Sequence, residues 1–328
     1  MLTSKSPLRI SFFGGGTDFH DYYKYDYGCV LSTTIDKYVY IMVNRKFDER
    51  IQLNYRLTEI VDTVDEILHP TIRESMRFTG VTKAIELSVQ ADFPSHGTGL
   101  GSSSSFLVGL INALSTLNGK KPTSEELAKA ACQIEIEILK EPIGKQDQYI
   151  SAYGGFNFIK FNKDDSVTVE PVKAKPETLI SLNKKLLFFY TGIGRSASRV
   201  LKEQKETIEK KIEYFNRLRD LAVSAKSKLE KGDLDSFGEM LDESWQIKKT
   251  FASGISSDTL DNYYKLAMAA GAKGGKILGA GGGGFFMFFC DEHKQDAVRK
   301  ALTPMREVKF SFPSEGSKIV FNDRDSYV

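Results

Sequence analysis

The sequence predicts an α+β protein in two lobes with a ligand cleft between them. Three observations carry that prediction. Strand-like and helix-like stretches mix up to about residue 182, and beyond residues 186–190 the texture turns helical. A glycine- and serine-rich loop, Gly97 to Ser105, runs straight into a strongly apolar helix. Two further glycine runs, at 14–16 and 279–284, lie near the two ends of the chain. The division falls between a first lobe, 1–182, and a second, 183–328.

Taken in order, residues 8–13 are apolar and strand-like and end in Gly14-Gly15-Gly16. Residues 38–43 and 51–55 alternate around a polar stretch, as a hairpin does. A further alternating strand covers 84–92. Phe106, Leu107, Leu110, Ile111, Leu114 and Leu117 then share one helix face, which Asn118-Gly119 closes as a C-cap. Thr123 and Glu126 have capping-box spacing for a second helix over 124–139. Strands follow at 154–161, 167–172 and 186–190. Residues 196–231 read as a long charged helix or helix pair, and further helices cover 234–250, 258–270 and 295–302. Phe285 to Cys290 has buried-strand composition, and strand pieces are expected at 308–312 and 317–321.

At 328 residues the chain can build one large core or two ordinary ones. Its 45 basic residues nearly balance 43 acidic ones, so neither nucleic acid nor an anionic membrane surface is implied as a partner. Cys29, Cys132 and Cys290 lie far apart and form no metal or disulfide pattern, which points to a reducing compartment. No leader-like h-region opens the sequence, and no apolar run reaches membrane-spanning length. A soluble, cytoplasmic protein is expected, with a homodimer left open.

The loop His96 to Ser105 carries the functional signal. Its three alternating glycines let the backbone turn tightly and approach a ligand. A loop of that kind at a helix start offers unpaired N–H groups and a positive dipole end to an anion. The reading is a phosphate cradle. It is not a Walker loop, because no lysine follows the glycines. Nor is Gly279, Gly281 and Gly284 a dinucleotide fingerprint, because a strand composition follows where a helix start is required.

Three segments in order, Pro7 to Asp18, Gly97 to Ser104 and Gly279 to Phe285, together resemble the three signature motifs of the GHMP small-molecule kinases, the family of galactokinase, homoserine kinase and mevalonate kinase. The resemblance spans nearly the whole chain. It implies a two-lobed GHMP kinase fold, with a ribosomal-protein-like α/β sandwich as N-terminal lobe, a ferredoxin-like C-terminal lobe, and ATP between them. Gly14 to Phe19 and Glu141 to Tyr149 are most similar to the branch acting on D-glycero-D-manno-heptose 7-phosphate. Galactokinases carry a Glu-His pair where this chain has Gly15-Gly16, which argues against galactose.

The same resemblance assigns roles. Gly97, Gly99, Leu100, Gly101, Ser102, Ser103 and Ser104 would cradle the ATP phosphates. Asp147 matches the catalytic aspartate, and Arg9 the basic residue near the transferring phosphate. Ser103 matches the Mg²⁺-binding serine, and Glu135, twelve positions before Asp147, has the spacing of the second metal ligand. Helical periodicity alone leaves Glu135 and Glu137 equivalent, because both flank the stripe Leu127, Ala131, Ile134 and Ile138. Asp18 matches the sugar-hydroxyl contact, with Gly15, Gly16 and Thr17 beside it. Gly281, Gly282 and Gly283 line the cleft or pack closely. Lys145, Arg195 and Arg199 are candidates to receive a phosphate on the substrate. Tyr22 to Tyr27 stack on a ligand or pack between lobes, and Trp245 reads as helix core. The implied reaction is phosphorylation of the anomeric hydroxyl of a heptose 7-phosphate, in the synthesis of nucleotide-activated heptose for bacterial surface polysaccharide. A kinase for another sugar, such as fucose, is the nearest alternative. A non-catalytic sensor would have a damaged site, yet Arg9, Ser103, Glu135 and Asp147 are all present.

Overall fold

Pairing of two long strands, β1 (Leu2–Phe13) and β2 (Tyr27–Arg45), organises the first lobe. The computed structural model describes residues 1–93, 97–194 and 197–323. Strand β2 is long enough to take three partners. One flank runs along β1; on the other, residues 39–45 pair with β5 (Ile85–Ala91) and residues 27–33 pair with β6 (Phe156–Asn162). With β3 (Ile51–Asn54), β4 (Thr58–Val61), β7 (Val167–Pro171) and β12 (Lys318–Asn322) these make, among the described residues, an eight-stranded sheet whose main path is β12-β1-β2-β5-β3-β4.

The hairpin expected between residues 38–43 and 51–55 does not form. Strand β5 inserts between them, antiparallel to β2 and parallel to β3. Alternation correctly marks both segments as half-buried strands, but it carries no information about which strand lies beside which.

The apolar helix Ser102–Leu117 packs across β1 and β2 and is flanked by helices Ser124–Cys132 and Gln146–Tyr153. A bulge in β2 at Asp36 and Lys37, opposite Pro7 and Leu8, shifts the register against β1, and the Pro7 carbonyl accepts from Ser105 Oγ (2.8 Å) and Ser151 Oγ (3.2 Å). The capping box forms as expected, with Thr123 Oγ1 accepting from Glu126 N and the Glu126 carboxylate accepting from Thr123 N. Helix Pro70–Thr79 and helix Pro176–Lys184, both opened by proline at the first turn, escaped the sequence reading.

In the second lobe, β8 (Leu186–Tyr190), β9 (Gly274–Ile277), β10 (Phe285–Phe289) and β11 (Arg306–Glu307) form an antiparallel sheet in the order β11-β8-β10-β9. Every residue of β10 is buried, as its composition requires. The strand expected at 308–312 is replaced by the two-residue β11 immediately before it. Helices Ala197–Glu206 and Ile212–Lys231 are the expected pair, followed by Phe237–Lys249 and Asp258–Ala269. Trp245 is fully buried helix core.

Aromatic side chains join the lobes. Phe12 and Phe13 of β1 meet Phe237 edge-on, at 5.7 and 5.1 Å between ring centres. Tyr22 packs on Phe215 and donates to Asn216 Oδ1, so this tyrosine belongs to the lobe junction. Strand β12, from the end of the described chain, returns to pair with β1. No helix among the described residues is long and apolar enough to cross a membrane.

Candidate active site

The cleft between the lobes encloses about 850 Å³. One end is largely apolar, walled by Val39, Tyr55, Leu57, Val89 and Phe106; the other carries Ser11, Asp18, Gln146 and Gln204. Between them lies the glycine-serine loop.

The third glycine segment and strand β1 meet at that loop. A Cβ on Gly99, whose φ is +76°, would lie 2.3 Å from the Leu278 carbonyl oxygen, and one on Gly279 would lie 2.6 Å from Gly99 Cα. Glycine at both positions lets the two backbones touch. Phe285 N donates to Thr98 O (3.2 Å) on one flank, and Arg9 N donates to Leu100 O (3.0 Å) on the other. The loop is therefore clamped by both lobes. Helix Ser102–Leu117 starts from Gly101 with no side-chain cap. Its first-turn N–H groups, at the cleft-lining Ser102, Ser103 and Ser104, have no intrahelical partners and meet the positive dipole end. A helix end of this kind can hold an anion.

Arg9 and Asp147 sit against it. Arg9 Nε donates to Asp147 Oδ1 (2.6 Å) and Nη2 to Oδ2 (2.8 Å), a two-pronged pair, while Nη1 donates to Gly99 O (2.6 Å). Arg9 is 4% exposed and Asp147 23%; both line the cleft, and the carboxylate is the more accessible of the two. Asp147 belongs to the first turn of helix Gln146–Tyr153, where the dipole favours a negative group. Asp18 is buried one step away, accepting from Gly16 N (2.9 Å) and Gln146 N (3.3 Å). Burial, then the Asp147 charge, raises its pKa against the pull of those N–H groups.

Glu135 and Glu137, equivalent by periodicity, are separated by the backbone. Residues Gln133–Ile138 form a π-helical turn, closed by Leu139 N donating to Ile134 O (2.9 Å). The wider turn breaks the 3.6-residue phase, leaving Glu135 buried toward the loop and Glu137 exposed. Glu135 accepts from Ser103 Oγ (3.0 Å), Ser104 Oγ (2.7 Å) and Gln148 Nε2 (2.6 Å). Burial pushes its pKa to about 7 despite these three donors.

Lys276 escaped the sequence reading. It lies on β9, whose Gly274-Gly275-Lys276-Ile277 lacks strand composition. Its Nζ crosses to the first lobe and donates to Ser11 O (3.1 Å) and Phe12 O (3.0 Å). Burial, then the charge of Arg9, lowers its pKa from the usual 10.5 to about 7. Between those values the unfolded chain holds a proton that the folded one releases. The Lys276 contribution to folded stability therefore rises with pH across that window and is lost as pH falls through about 7. Lys276→Met is expected to flatten this rise, read by urea unfolding of both proteins across the window; parallel profiles would refute it.

Several expected site residues lie elsewhere. Lys145 turns from the cleft to pair with Asp165 (2.7 Å). Arg199 is exposed and paired with Glu203 (3.2 Å). Thr17 donates to the carbonyls of Gly14 and Cys29 (2.8 Å each), tying the first glycine turn to β2. Leu100 is fully buried in the core. Gly282 N donates to Ile255 O (2.6 Å), and a Cβ on Gly283 would meet Ile193 O at 2.3 Å, so these glycines serve close packing. In that segment it is Gly279 and Ala280 that line the cleft. Arg195 lies outside the described residues.

An anion cradle facing a fixed carboxylate is the arrangement that phosphoryl transfer to a hydroxyl requires, and on this two-lobed scaffold it marks a small-molecule kinase. The family models for the GHMP kinases N terminal domain and the GHMP kinases C terminal match residues 63–155 and 225–305. The chain belongs to the GHMP kinase family and is a sugar kinase phosphotransferase. It is 32% identical to a D-glycero-alpha-D-manno-heptose 7-phosphate kinase of Campylobacter jejuni, covering 97% of this chain and 98% of the relative. It is 25% identical to a galactokinase of Pyrococcus furiosus, covering 96% of each. Among solved structures, a D-glycero-D-manno-heptose 1-phosphate kinase from Bacteroides thetaiotaomicron superposes with a TM-score of 0.82 at 26% identity, covering 98% of this chain and 99% of that one.

Proposed function

We propose that the chain transfers the terminal phosphoryl group of ATP to the anomeric hydroxyl of D-glycero-D-manno-heptose 7-phosphate, giving the 1,7-bisphosphate and ADP. The observation that carries this reading is the Arg9–Asp147 pair lying against the phosphate loop. The Campylobacter jejuni relative, matched over nearly its full length, supports the choice of sugar.

In this reading the ATP phosphates lie on the loop from Gly97 to Ser104, with the base toward the apolar end at Tyr55 and Phe106. Asp18 holds the sugar. Asp147 accepts the hydrogen of the anomeric hydroxyl, the most acidic on a sugar, as its oxygen bonds to the γ-phosphorus. The bond to the β,γ-bridging oxygen breaks, ADP leaves with the electron pair, and the proton passes to Asp147. Arg9 keeps that carboxylate in place and sets a positive charge beside the phosphoryl path.

The donors also fit Mg²⁺. Glu135 is a buried carboxylate beside a serine hydroxyl at the cradle, and Mg²⁺ commonly takes one or two carboxylates with phosphate and water completing the shell. Ser103 and Glu135 would hold the ion, which neutralises phosphate charge. Glu135→Gln is expected to raise the Mg²⁺ concentration for half-maximal rate at least as much as the roughly 10–100-fold typical of losing a partner behind a ligand. A titration matching wild type would remove Glu135 from the metal.

The relative from Bacteroides thetaiotaomicron favours a second reading, with the heptose already phosphorylated at its other end. Phosphorus NMR of reactions with each heptose monophosphate separates them. A new signal coupled to the anomeric proton, from the 7-phosphate, is the expected result. Turnover of the 1-phosphate alone would reverse the assignment. Turnover of an unphosphorylated sugar alone would sink it. In the expected case, the product feeds the synthesis of nucleotide-activated heptose.

A further inference from the structure

Gly15 and Gly16 are adjacent in sequence but differ in surroundings. Gly16 has φ +101°, and a Cβ there would fall 2.3 Å from Gln204 Nε2 and 3.1 Å from the Phe215 ring. Its place is taken by the second lobe. Gly15 is not in the left-handed region, and a Cβ there would meet nothing closer than Ser11 Oγ at 3.9 Å and Gln146 Nε2 at 4.0 Å. Gly15 therefore opens a nook in the cleft wall, bounded by Ser11 and Gln146.

Both bounding side chains carry an unmet hydrogen-bonding atom. Ser11 is 5% exposed, and its Oγ is buried without a partner among the described residues; the same holds for Gln146 Oε1. Buried polar atoms are nearly always paired, so two orphans on one nook need an explanation. Their placement supplies it. Ser11 lies two residues along β1 from Arg9, on the same strand face, and Gln146 immediately precedes Asp147. The backbone beneath Ser11 is fixed, because Lys276 Nζ grips the carbonyls of Ser11 and Phe12 while leaving the Ser11 hydroxyl free of it. A serine hydroxyl both donates and accepts, and an amide oxygen accepts. A sugar hydroxyl, which also donates and accepts, complements both. A phosphate oxygen, an acceptor alone, does not suit the amide oxygen.

We propose that Ser11 and Gln146 are specificity-determining residues that hydrogen-bond hydroxyls of the sugar beside the reacting one, in the space that Gly15 leaves. This rests on the sugar-kinase reading above and adds the residues that select the sugar.

The test is steady-state kinetics of full-length Ser11→Ala and Gly15→Gln with the sugar that wild type uses best, beginning with the heptose 7-phosphate. Ser11→Ala is expected to raise the sugar KM about 3–10-fold, the range of one ordinary hydrogen bond, with the KM for ATP unchanged. Its unliganded Tm should hold or rise, because the hydroxyl removed has no protein partner. Gly15→Gln, placed where the backbone accepts a side chain, should raise the sugar KM more than tenfold, again with ATP unaffected. An unchanged sugar KM in both folded variants would overturn the proposal. So would a Tm loss in Ser11→Ala, or a KM for ATP that rises in step with that for the sugar. Should wild type ignore the heptose phosphate and turn over another sugar, the functional reading falls, while the same variants assayed on that sugar still decide this inference.

Discussion

Asp147→Asn is expected to lower kcat by about 10²–10⁴-fold, the range of a positioned general base, with little change in the KM for ATP. The amide has nearly the same shape but cannot take the proton. It also turns an N–H group toward one prong of Arg9, so the two-pronged pair becomes a single bond. Arg9 is almost fully buried, so the variant should also lose thermal stability while staying folded by circular dichroism. Single-turnover quench measurements isolate the chemical step. Wild-type rates in that experiment would eliminate the mechanism proposed for this site.

The second large effect is expected at Gly99. Gly99→Ala adds a methyl group 2.3 Å from the Leu278 carbonyl, in a backbone conformation with φ +76° that L side chains avoid. The strain alone costs about 1–2 kcal/mol, and the clash must also push the glycine-serine loop from the third glycine segment. A displacement near 1 Å at a reacting centre costs roughly 10²-fold, and kcat/KM for ATP should fall by that order. Gly119→Ala is the control. Its φ is the same, +76°, but no atom lies within 4 Å of the added methyl, and it sits at the far end of the same helix. It should lose stability without losing ATP turnover. Equal kinetic losses in both variants would mean that backbone strain, not contact between the lobes, explains Gly99.

What could be read from the sequence, and what could not, follows from the range of each interaction. The glycine-serine loop, the capping box at Thr123 and the buried β10 are local patterns, and each appears where expected. The partner of β2 is not local. Alternation at 38–43 and 51–55 reports burial of one face, and the insertion of β5 between them leaves no trace in either segment. Glu135 was separable from Glu137 by resemblance alone, because a π-helical turn is invisible to a 3.6-residue wheel. Lys276 is illegible for a related reason. A lysine after two glycines reads as surface, and its burial depends on carbonyls some 265 positions earlier. Lys145 neighbours the catalytic candidates in sequence, but Asp165 holds it from another turn.

The return of β12 to β1 has a consequence for how the chain can be divided. Residues between β7 and β12 are in effect spliced into the first lobe, anchored at both ends, and the N-terminal amine pairs with Asp323 just past the closing strand. A fragment ending at residue 182 would therefore leave residues 2–5 of β1 as a bare sheet border, the kind of surface that recruits other chains. The first lobe is contiguous in space but not in the gene, and a version of it able to stand alone would be a circular permutant that grafts residues 318–322 ahead of Met1.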